Sequence, residues 1–344
     1  MSEERAILAV AGDNTKTDVA IVDPDGTLRA AVRGPGASPD LLGLETSLHR
    51  LGAAIDQAWR AAHVAARPVR AAIGVYFLAG LNSPAAEARV SQAIEARGWS
   101  AAVQVANDVF GSLWAANGKG EGVAVFIGAG INCVGRLKSD ARARFACLGP
   151  LSGDSGDGHS LGTAAIAAAV RAEDGRGPQT ALGRSIALYF GRATAGEVAL
   201  ALHDGEIPDD HVLEVVPLVI NAAALHDEVA EGLLDAQAEE VGRYVVAAAG
   251  QLGIGSEPFD TVLSGSMAGG EDWPTVTRIR RSLADAMPQA RIVISTALPV
   301  VGAALAGLAF IAADDAARVR IRTSLNARAL QVVGGSAYLN LPGQ

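Results

Sequence analysis

Residues 6–22 read AILAVAGDNTKTDVAIV, and residues 123–137 read VAVFIGAGINCVGRL. Both stretches share one layout, in which an apolar run leads through a small glycine-containing loop into a second apolar run. Short apolar runs bounded by turn signals are typical of buried strands. A recurring layout indicates a duplicated unit, although strand pairs are common enough to recur by chance. The repeat predicts two similar lobes that place one loop each on the two sides of a cleft.

Strand and helix signals alternate outward from these stretches, so the sequence predicts an α/β protein. The turn signal at Asp23–Gly26 predicts an antiparallel meander at the start. The predicted strands are 6–10, 18–22, 28–32, 69–77, 103–106, 123–127, 132–137, 261–263 and 291–294, and the predicted helices are 41–65, 84–97, 109–116, 158–171, 180–190, 195–203, 227–252, 273–287 and 300–312. We expect an N-terminal lobe over 1–117, a C-terminal lobe over 118–313, and a tail over 314–344 that packs back onto the first lobe.

The composition argues against several classes of protein. The 344 residues carry a net charge of −9 and contain no Lys/Arg block, which disfavours a nucleic-acid-binding protein. Two cysteines are too few for a disulfide-rich secreted scaffold. Apolar runs stay well short of the ~20 residues of a membrane span. The polar, acidic Met1–Arg5 segment lacks the layout of a signal peptide, so a cytoplasmic protein that does not bind membranes is expected.

The first loop, Gly12–Thr17, combines groups that suit a phosphate. Main-chain N–H groups in a tight turn can surround a phosphate, hydroxyls add donors and Lys16 adds charge. Asp13 can hold Mg²⁺ through water. An ordinary hairpin turn explains the same residues. The predicted nucleotide-contacting residues of this loop are Asp13, Asn14, Thr15, Lys16 and Thr17.

The second loop consists of Gly128, Ala129 and Gly130. Its minimal side chains leave main-chain donors for β- or γ-phosphate oxygens, although a simple turn has the same composition.

Asn107 and Asp108 follow a short predicted strand and precede a helix. Ligands of α/β sheets usually bind at the carboxyl ends of strands. A carboxylate there can accept the proton of an attacking hydroxyl, so Asp108 is the candidate general base. Both residue types also suit a helix N-cap, and the two roles are compatible.

The segment Gly149–His159 is the densest polar cluster and leads into a predicted helix. We expect the helix N–H groups to point at a ligand, and Asp154 and Asp157 to accept hydrogen bonds from sugar hydroxyls or an amine. A flexible surface loop is the alternative. The predicted substrate-binding residues are Asn107, Asp108, Gly153, Asp154, Ser155, Gly156 and Asp157.

A third glycine-rich loop, 264–270, follows another predicted buried strand. Its small residues let a flat purine lie against the main chain, so Gly265, Ser266, Met267 and Ala268 are predicted to contact adenosine. A loose strand-to-helix connection is the alternative. Cys133 and Cys147 are expected to be small core residues.

The order of these motifs resembles the BadF/BadG/BcrA/BcrD ATPase family, and within it the N-acetylglucosamine kinase and actinobacterial glucosamine kinase group. The resemblance rests on GDNTKTD at 12–18, ND at 107–108, FIGAGINC at 126–133, LGPLSGDSGDGHSLG at 148–162 and LSGSMAGG at 263–270. It implies two ribonuclease-H-like (actin-like, hexokinase-like) lobes that close over ATP, Mg²⁺ and a sugar. It also implies Asp108 as the base toward the sugar O6 hydroxyl and, as a family-level expectation, a homodimer.

The sequence departs from the family pattern at 153–157, where GDSGD replaces the usual GDEGS; these residues lie in the segment Gly149–His159, which we call the acceptor loop. Asp154 and Asp157 make this loop acidic, which suits a protonated amine, so D-glucosamine is the expected acceptor and D-glucosamine 6-phosphate the product.

Three alternatives remain at this stage. The first is an N-acetylglucosamine kinase or other hexose kinase. The second is a 2-hydroxyacyl-CoA dehydratase activator, for which Cys133 and Cys147 are too close together in sequence. The third is a non-catalytic sugar sensor, for which the first strand starts too early to leave room for a DNA-binding domain.

Overall fold

The computed structural model describes residues 5–63, 70–268, 270 and 273–332. The predicted start of the fourth strand at Val69, one residue of the third loop (Gly269) and tail residues 333–344 lie outside the described residues. The strands are β1 (Ile7–Gly12), β2 (Lys16–Val22), β3 (Leu28–Pro35), β4 (Ala71–Leu78), β5 (Ser100–Asn107), β6 (Gly122–Ile127), β7 (Ile131–Arg136), β8 (Arg142–Arg144), β9 (Phe259–Ser264), β10 (Ala290–Ile294) and β11 (Gln331–Val332). The helices are α1 (Pro39–Leu42), α2 (Leu44–Ala61), α3 (Pro84–Arg97), α4 (Asp108–Asn117), α5 (Gly158–Glu173), α6 (Leu182–Tyr189), α7 (Ala195–His203), α8 (Val216–Ala224), α9 (Glu228–Leu252), α10 (Pro274–Ala286), α11 (Pro299–Phe310) and α12 (Asp315–Ser324).

The chain divides into two compact units. The first comprises residues 1–124, 134–146 and 297–344, and the second comprises 125–133 and 147–296. These units differ from the predicted lobes, because 118–124, 134–146 and 297–313 group with the first unit. The tail segment β11 pairs in parallel with β3 inside the first unit.

The first unit is built on a six-stranded sheet in the order β11-β3-β2-β1-β4-β5. β1, β2 and β3 form the predicted antiparallel meander, whereas β4 runs parallel to both β1 and β5. Every residue of β1 is buried, which explains why this strand reads as one continuous apolar run. The carboxyl ends of β1, β4 and β5 therefore share one edge of the sheet.

Helices cover both faces of this sheet. The apolar stripe of α2, which includes Leu48, Leu51 and Ile55, packs into one core with strand residues such as Leu8 and Ile21. On the other face, α11 packs against β1, β4 and α4. Helix α11 is buried from Val300 to Leu308, so it is apolar all round rather than amphipathic.

The second unit is mainly helical. Within it, β9 and β10 pair in parallel. Helix α9 packs against both α8 and α10, and α5 packs against α6 and α7. Asp227 begins α9 as an N-cap that accepts a hydrogen bond from the N–H of Ala230.

The predicted α/β class is confirmed, and most elements lie near their expected positions. The single predicted helix 41–65 is wrong, because Gly43 adopts φ +76° between α1 and α2 and this backbone conformation interrupts a helix. Within the described part of the chain, no helix combines the length and the apolar character that a membrane crossing requires.

Candidate active site

The carboxyl edge of the first unit's sheet carries the predicted loop Asp13–Thr17 and the pair Asn107–Asp108. Asp13 Oδ1 accepts hydrogen bonds from the Thr15 N–H at 2.7 Å, the Thr15 hydroxyl at 2.8 Å and the Lys16 N–H at 2.7 Å. This turn leaves Asn14 and Thr15 exposed. The loop is thus held by its own aspartate while its tip faces outward.

This geometry bears on two predicted roles, which are the binding of Mg²⁺ by Asp13 and the contact of Thr17 with the nucleotide. Asp13 Oδ2 lies 3.7 Å from Lys16 Nζ, and it accepts none of the three hydrogen bonds of the turn. Among the described residues no cluster of three or more His, Cys, Asp or Glu side chains could hold a metal ion. One available carboxylate oxygen fits a Mg²⁺ held mainly by water and phosphates. Thr17 is fully buried, and its hydroxyl has no hydrogen-bond partner in the described part of the chain.

Asn107 is fixed in place by its surroundings. It is 1% exposed, and its side-chain oxygen accepts a hydrogen bond from the Val109 N–H at 3.0 Å, which makes it the N-cap of α4. Its side-chain N–H₂ donates to Asn82, and its main-chain N–H donates to Glu87 Oε1. The capping role predicted for this pair therefore belongs to Asn107.

Glu87 attaches the junction between β5 and α4 to strand β8, which contains Arg144. The buried Glu87 carboxylate accepts two hydrogen bonds from Arg144, at 2.5 and 2.7 Å, in a bidentate pair. Such planar pairs fix orientation as well as charge. Glu87 was not predicted from the sequence. The one signal for its role is a carboxylate on the face of α3 that is buried.

Asp108 becomes the first residue of α4 because Asn107 caps the helix. Burial raises the pKa of Asp108 to about 7, the negative charge of Asp13 adds to the rise, and main-chain N–H groups at the start of α4 oppose it. A carboxyl group with a pKa near the operating pH is well matched to general-base catalysis. Asp108 therefore combines the position and the proton affinity expected of a base.

The predicted segments of the second unit converge around the loop Gly128–Gly130. The Gly158 N–H donates to Gly128 O at 2.8 Å, and the His159 N–H donates to Ala129 O at 3.2 Å. On another side, the Met267 N–H donates to Ile127 O at 3.0 Å. The acceptor loop and the predicted adenosine loop thus both attach to the second phosphate loop, which leaves Ala129 and Gly130 exposed at its tip.

One expectation for the start of α5 is wrong. Its first N–H groups do not point at a ligand, because those of Gly158 and His159 donate to the second loop. Asp157, which is buried, caps α5 by accepting a hydrogen bond from the Ser160 N–H at 2.7 Å. A sugar contact by Asp157 remains a prediction alongside this capping role.

Asp154 is the acidic residue of the acceptor loop that stays partly accessible. Its two carboxylate oxygens accept hydrogen bonds from the hydroxyls of Tyr244, at 2.5 Å, and Ser152, at 2.6 Å. Gly153 and Ser155 on either side are exposed. Tyr244 was missed by sequence reasoning because it lies 90 residues further along the chain.

The loop predicted to contact adenosine, 264–270, depends on one glycine. Gly265 has φ +98°, and a Cβ placed there would lie 2.3 Å from Ile127 O, so only glycine fits. Ser266 is exposed, whereas Met267 and Ala268 are buried. Of the four predicted contact residues, Gly265 and Ser266 are therefore the accessible ones.

The cysteines behave as small packing residues. Both are free thiols, and burial raises the pKa of Cys133. The half-buried Cys147 donates to the side-chain oxygen of Asn132 at 3.1 Å. Cys133 is thus the small core residue expected, whereas Cys147 is only partly buried.

A cavity of about 540 Å³ in the first unit lies beside β5, and its lining does not include the predicted site residues. Phe110 and Trp114 form part of its wall, and Arg136 and Arg142 stand at its rim. Asp140 pairs with both of these arginines and offsets part of their positive charge.

Comparisons with known proteins find a matching family and related proteins. The model of the BadF/BadG/BcrA/BcrD ATPase family matches residues 12–307. An N-acetylmuramic acid/N-acetylglucosamine kinase of Clostridium acetobutylicum is 26% identical over 163 residues, which are 47% of this chain and 53% of that protein. The chain thus matches about half the length of this curated relative.

Two solved structures share the fold over most of the chain. A Chromobacterium violaceum protein assigned as an N-acetylglucosamine kinase has a TM-score of 0.65 at 23% identity, covering 89% of this chain and 100% of that one. A Porphyromonas gingivalis protein with the same assignment has a TM-score of 0.57 at 18% identity, covering 88% and 98%. At these identities the likeness concerns the fold.

Proposed function

Because the chain belongs to the BadF/BadG/BcrA/BcrD ATPase family, we propose that it transfers the γ-phosphoryl group of ATP to an amino sugar. D-glucosamine is the proposed acceptor, and D-glucosamine 6-phosphate is the proposed product. The observation that carries the proposal is Asp108, a carboxyl group at the end of β5 whose pKa is raised to about 7. A cytoplasmic location and a homodimer remain predictions.

The proposed chemistry assigns one step to each group. Asp108 accepts the proton of the sugar hydroxyl as that oxygen attacks the γ-phosphorus of ATP. The loop Gly128–Gly130 offers main-chain donors to the phosphates. In the first loop the Thr15 and Lys16 N–H groups already donate to Asp13, so this loop would contribute the Lys16 side chain and its exposed tip at Asn14. Mg²⁺, when bound, neutralises charge on the β- and γ-phosphates. Asp13 would hold this ion through water.

The acceptor assignment follows from the charge of Asp154. Its hydrogen-bond donors, Tyr244 and Ser152, are neutral hydroxyls. Among the described residues Asp154 forms no ion pair with a Lys, Arg or His side chain, so its negative charge is available to a protonated amine. This supports glucosamine over a neutral hexose.

N-acetylglucosamine is the second candidate acceptor. It is favoured by the curated Clostridium acetobutylicum relative, whose name includes that sugar. Both acceptors use the same phosphoryl-transfer chemistry.

A coupled assay of ADP release with a panel of acceptors tests the proposal. We expect ADP release that depends on D-glucosamine, with a higher kcat/KM than for N-acetylglucosamine, N-acetylmuramic acid or glucose. Turnover of the acetylated sugars alone would show that the acceptor assignment is wrong. If no sugar stimulated ADP release, the kinase assignment itself would be wrong.

A further inference from the structure

We propose that Tyr244 is a positioning residue for the acceptor sugar, which fixes the carboxylate of Asp154 in the orientation that receives the substrate. This inference rests on the proposed kinase function and assigns a role to a residue outside every motif of the sequence. Tyr244 itself need not touch the sugar.

The contact that carries the inference joins α9 to the acceptor loop. The Tyr244 side chain is mostly buried, and its hydroxyl donates to Asp154 Oδ1 at 2.5 Å. The Ser152 hydroxyl donates to the other oxygen, Oδ2, at 2.6 Å. Each carboxylate oxygen can accept more than one hydrogen bond, so both keep capacity for a ligand. The two hydroxyls therefore orient Asp154 without occupying it.

Tyr244 is suited to act only as a donor in this contact. Burial raises the pKa of Tyr244, and the hydrogen bond to Asp154 and neighbouring negative charge raise it further. The phenol thus stays protonated across the physiological range. A neutral donor orients the carboxylate and, unlike Lys or Arg, leaves its charge available to a cationic amine.

Helix α9 holds the acceptor loop at a second point. The buried Gln237 donates from its side-chain N–H₂ to Gly156 O at 3.0 Å, and it accepts from the Thr275 hydroxyl at 3.0 Å. Gln237 and Tyr244 are seven residues apart, so they lie on the same face of α9. The loop between Asp154 and Gly156 is therefore attached to one rigid helix at both ends, which is the support that a precise binding site requires.

Tyr244→Phe tests the inference because it removes one hydroxyl and retains the ring. We expect the KM for glucosamine to rise about tenfold, the order of effect of losing one hydrogen bond to a charged group. We expect kcat to stay within about twofold and the KM for ATP to stay unchanged. A general loss of structure would not produce this selective change.

Tyr189→Phe is the matched control. Tyr189, on α6 in the same unit, also donates its hydroxyl to a carboxylate, that of Glu214 at 3.1 Å, but it lies on the exposed surface. This variant should leave every kinetic constant unchanged.

A double-mutant cycle shows whether Tyr244 acts through Asp154. In an Asp154→Ala background, Tyr244→Phe should change kcat/KM for glucosamine by less than about twofold. A full tenfold effect in that background would overturn the inference, as would an unchanged glucosamine KM in the single variant or a loss confined to kcat. These failures presuppose an active wild-type enzyme. Absence of sugar phosphorylation by the wild type would instead contradict the proposed function.

Discussion

At the scale of single side chains, the raised pKa of Asp108 favours catalysis but disfavours folding once the carboxyl group is charged. Its raised pKa suits proton transfer, and the same shift makes the charged form unfavourable in the folded protein. The folded state therefore holds this proton more tightly than the unfolded chain, whose aspartates titrate near 3.8. The contribution of this group to stability is present below about pH 4 and is lost as the pH rises through about 7.

Asp108→Asn should consequently stabilise the protein at alkaline pH. We expect its Tm to exceed that of the wild type by about 2–4 °C at pH 8 and by less at pH 5, since the asparagine carries no charge. Differential scanning calorimetry at the two pH values measures this difference. Asp174→Asn is the control, because the hydrogen bond from Arg176 lowers the pKa of Asp174. That variant should not raise the Tm at pH 8, and an Asp108→Asn Tm below that of the wild type there would contradict the account.

At the scale of elements, the junction between β5 and α4 depends on Glu87. This carboxylate joins the Asn107 main chain to Arg144, and it is buried. Removing the carboxylate of a buried bidentate pair costs about 3 kcal/mol, because Arg144 loses both of its hydrogen bonds to Glu87. Glu87→Ala should therefore lower the free energy of unfolding by about that amount in urea denaturation.

Glu95→Ala is the control for this prediction on the same helix. Glu95 is exposed and accepts a hydrogen bond from Ser91, so its loss should cost less than about 1 kcal/mol. Equal effects of the two substitutions would show that the Glu87 pair does not hold the junction.

The accuracy of the predicted elements follows from local signals. Helix α3 is predicted at its observed bounds because Ser83 caps it and Pro84 begins it. The strand predicted at 103–106 is shorter than β5, since Ala101 and Ala102 at the start of β5 have a weak strand preference. Helix α8 was not predicted, because its N-cap position is occupied by Val215 and carries no capping signal.

The candidate site likewise contains parts that the sequence predicts and parts that it does not. Its loops were predictable because glycines and polar residues follow apolar runs in a fixed order. Tyr244 and Gln237 were not, because they lie in the middle of a 25-residue helix and their partners are distant in sequence. No local pattern distinguishes a buried tyrosine that orients a carboxylate from one that only fills space.

At the scale of the whole molecule, the two units are discontinuous in sequence. The chain returns to the first unit at 134–146 and again at 297. The second return provides α11, whose buried apolar surface packs on β1 and α4. The predicted lobes divide the sequence at two points, so each of them is one continuous stretch. Such a division cannot include a return of the chain to the first unit. The sequence of α11 does not reveal this return, because an all-apolar helix gives no indication of which sheet it covers.

The measurement that tests the central claim most directly is the rate of ATP-dependent glucosamine phosphorylation by Asp108→Asn and by the wild type. For the wild type we expect kcat/KM for glucosamine to rise with pH and to level off above an apparent pKa of about 7. Asp108→Asn should lower kcat by about 10²–10⁴-fold, the usual contribution of a general base, while calorimetry shows that glucosamine still binds. A variant whose kcat stays within a few-fold of the wild-type value would contradict the assignment of Asp108 as the catalytic base.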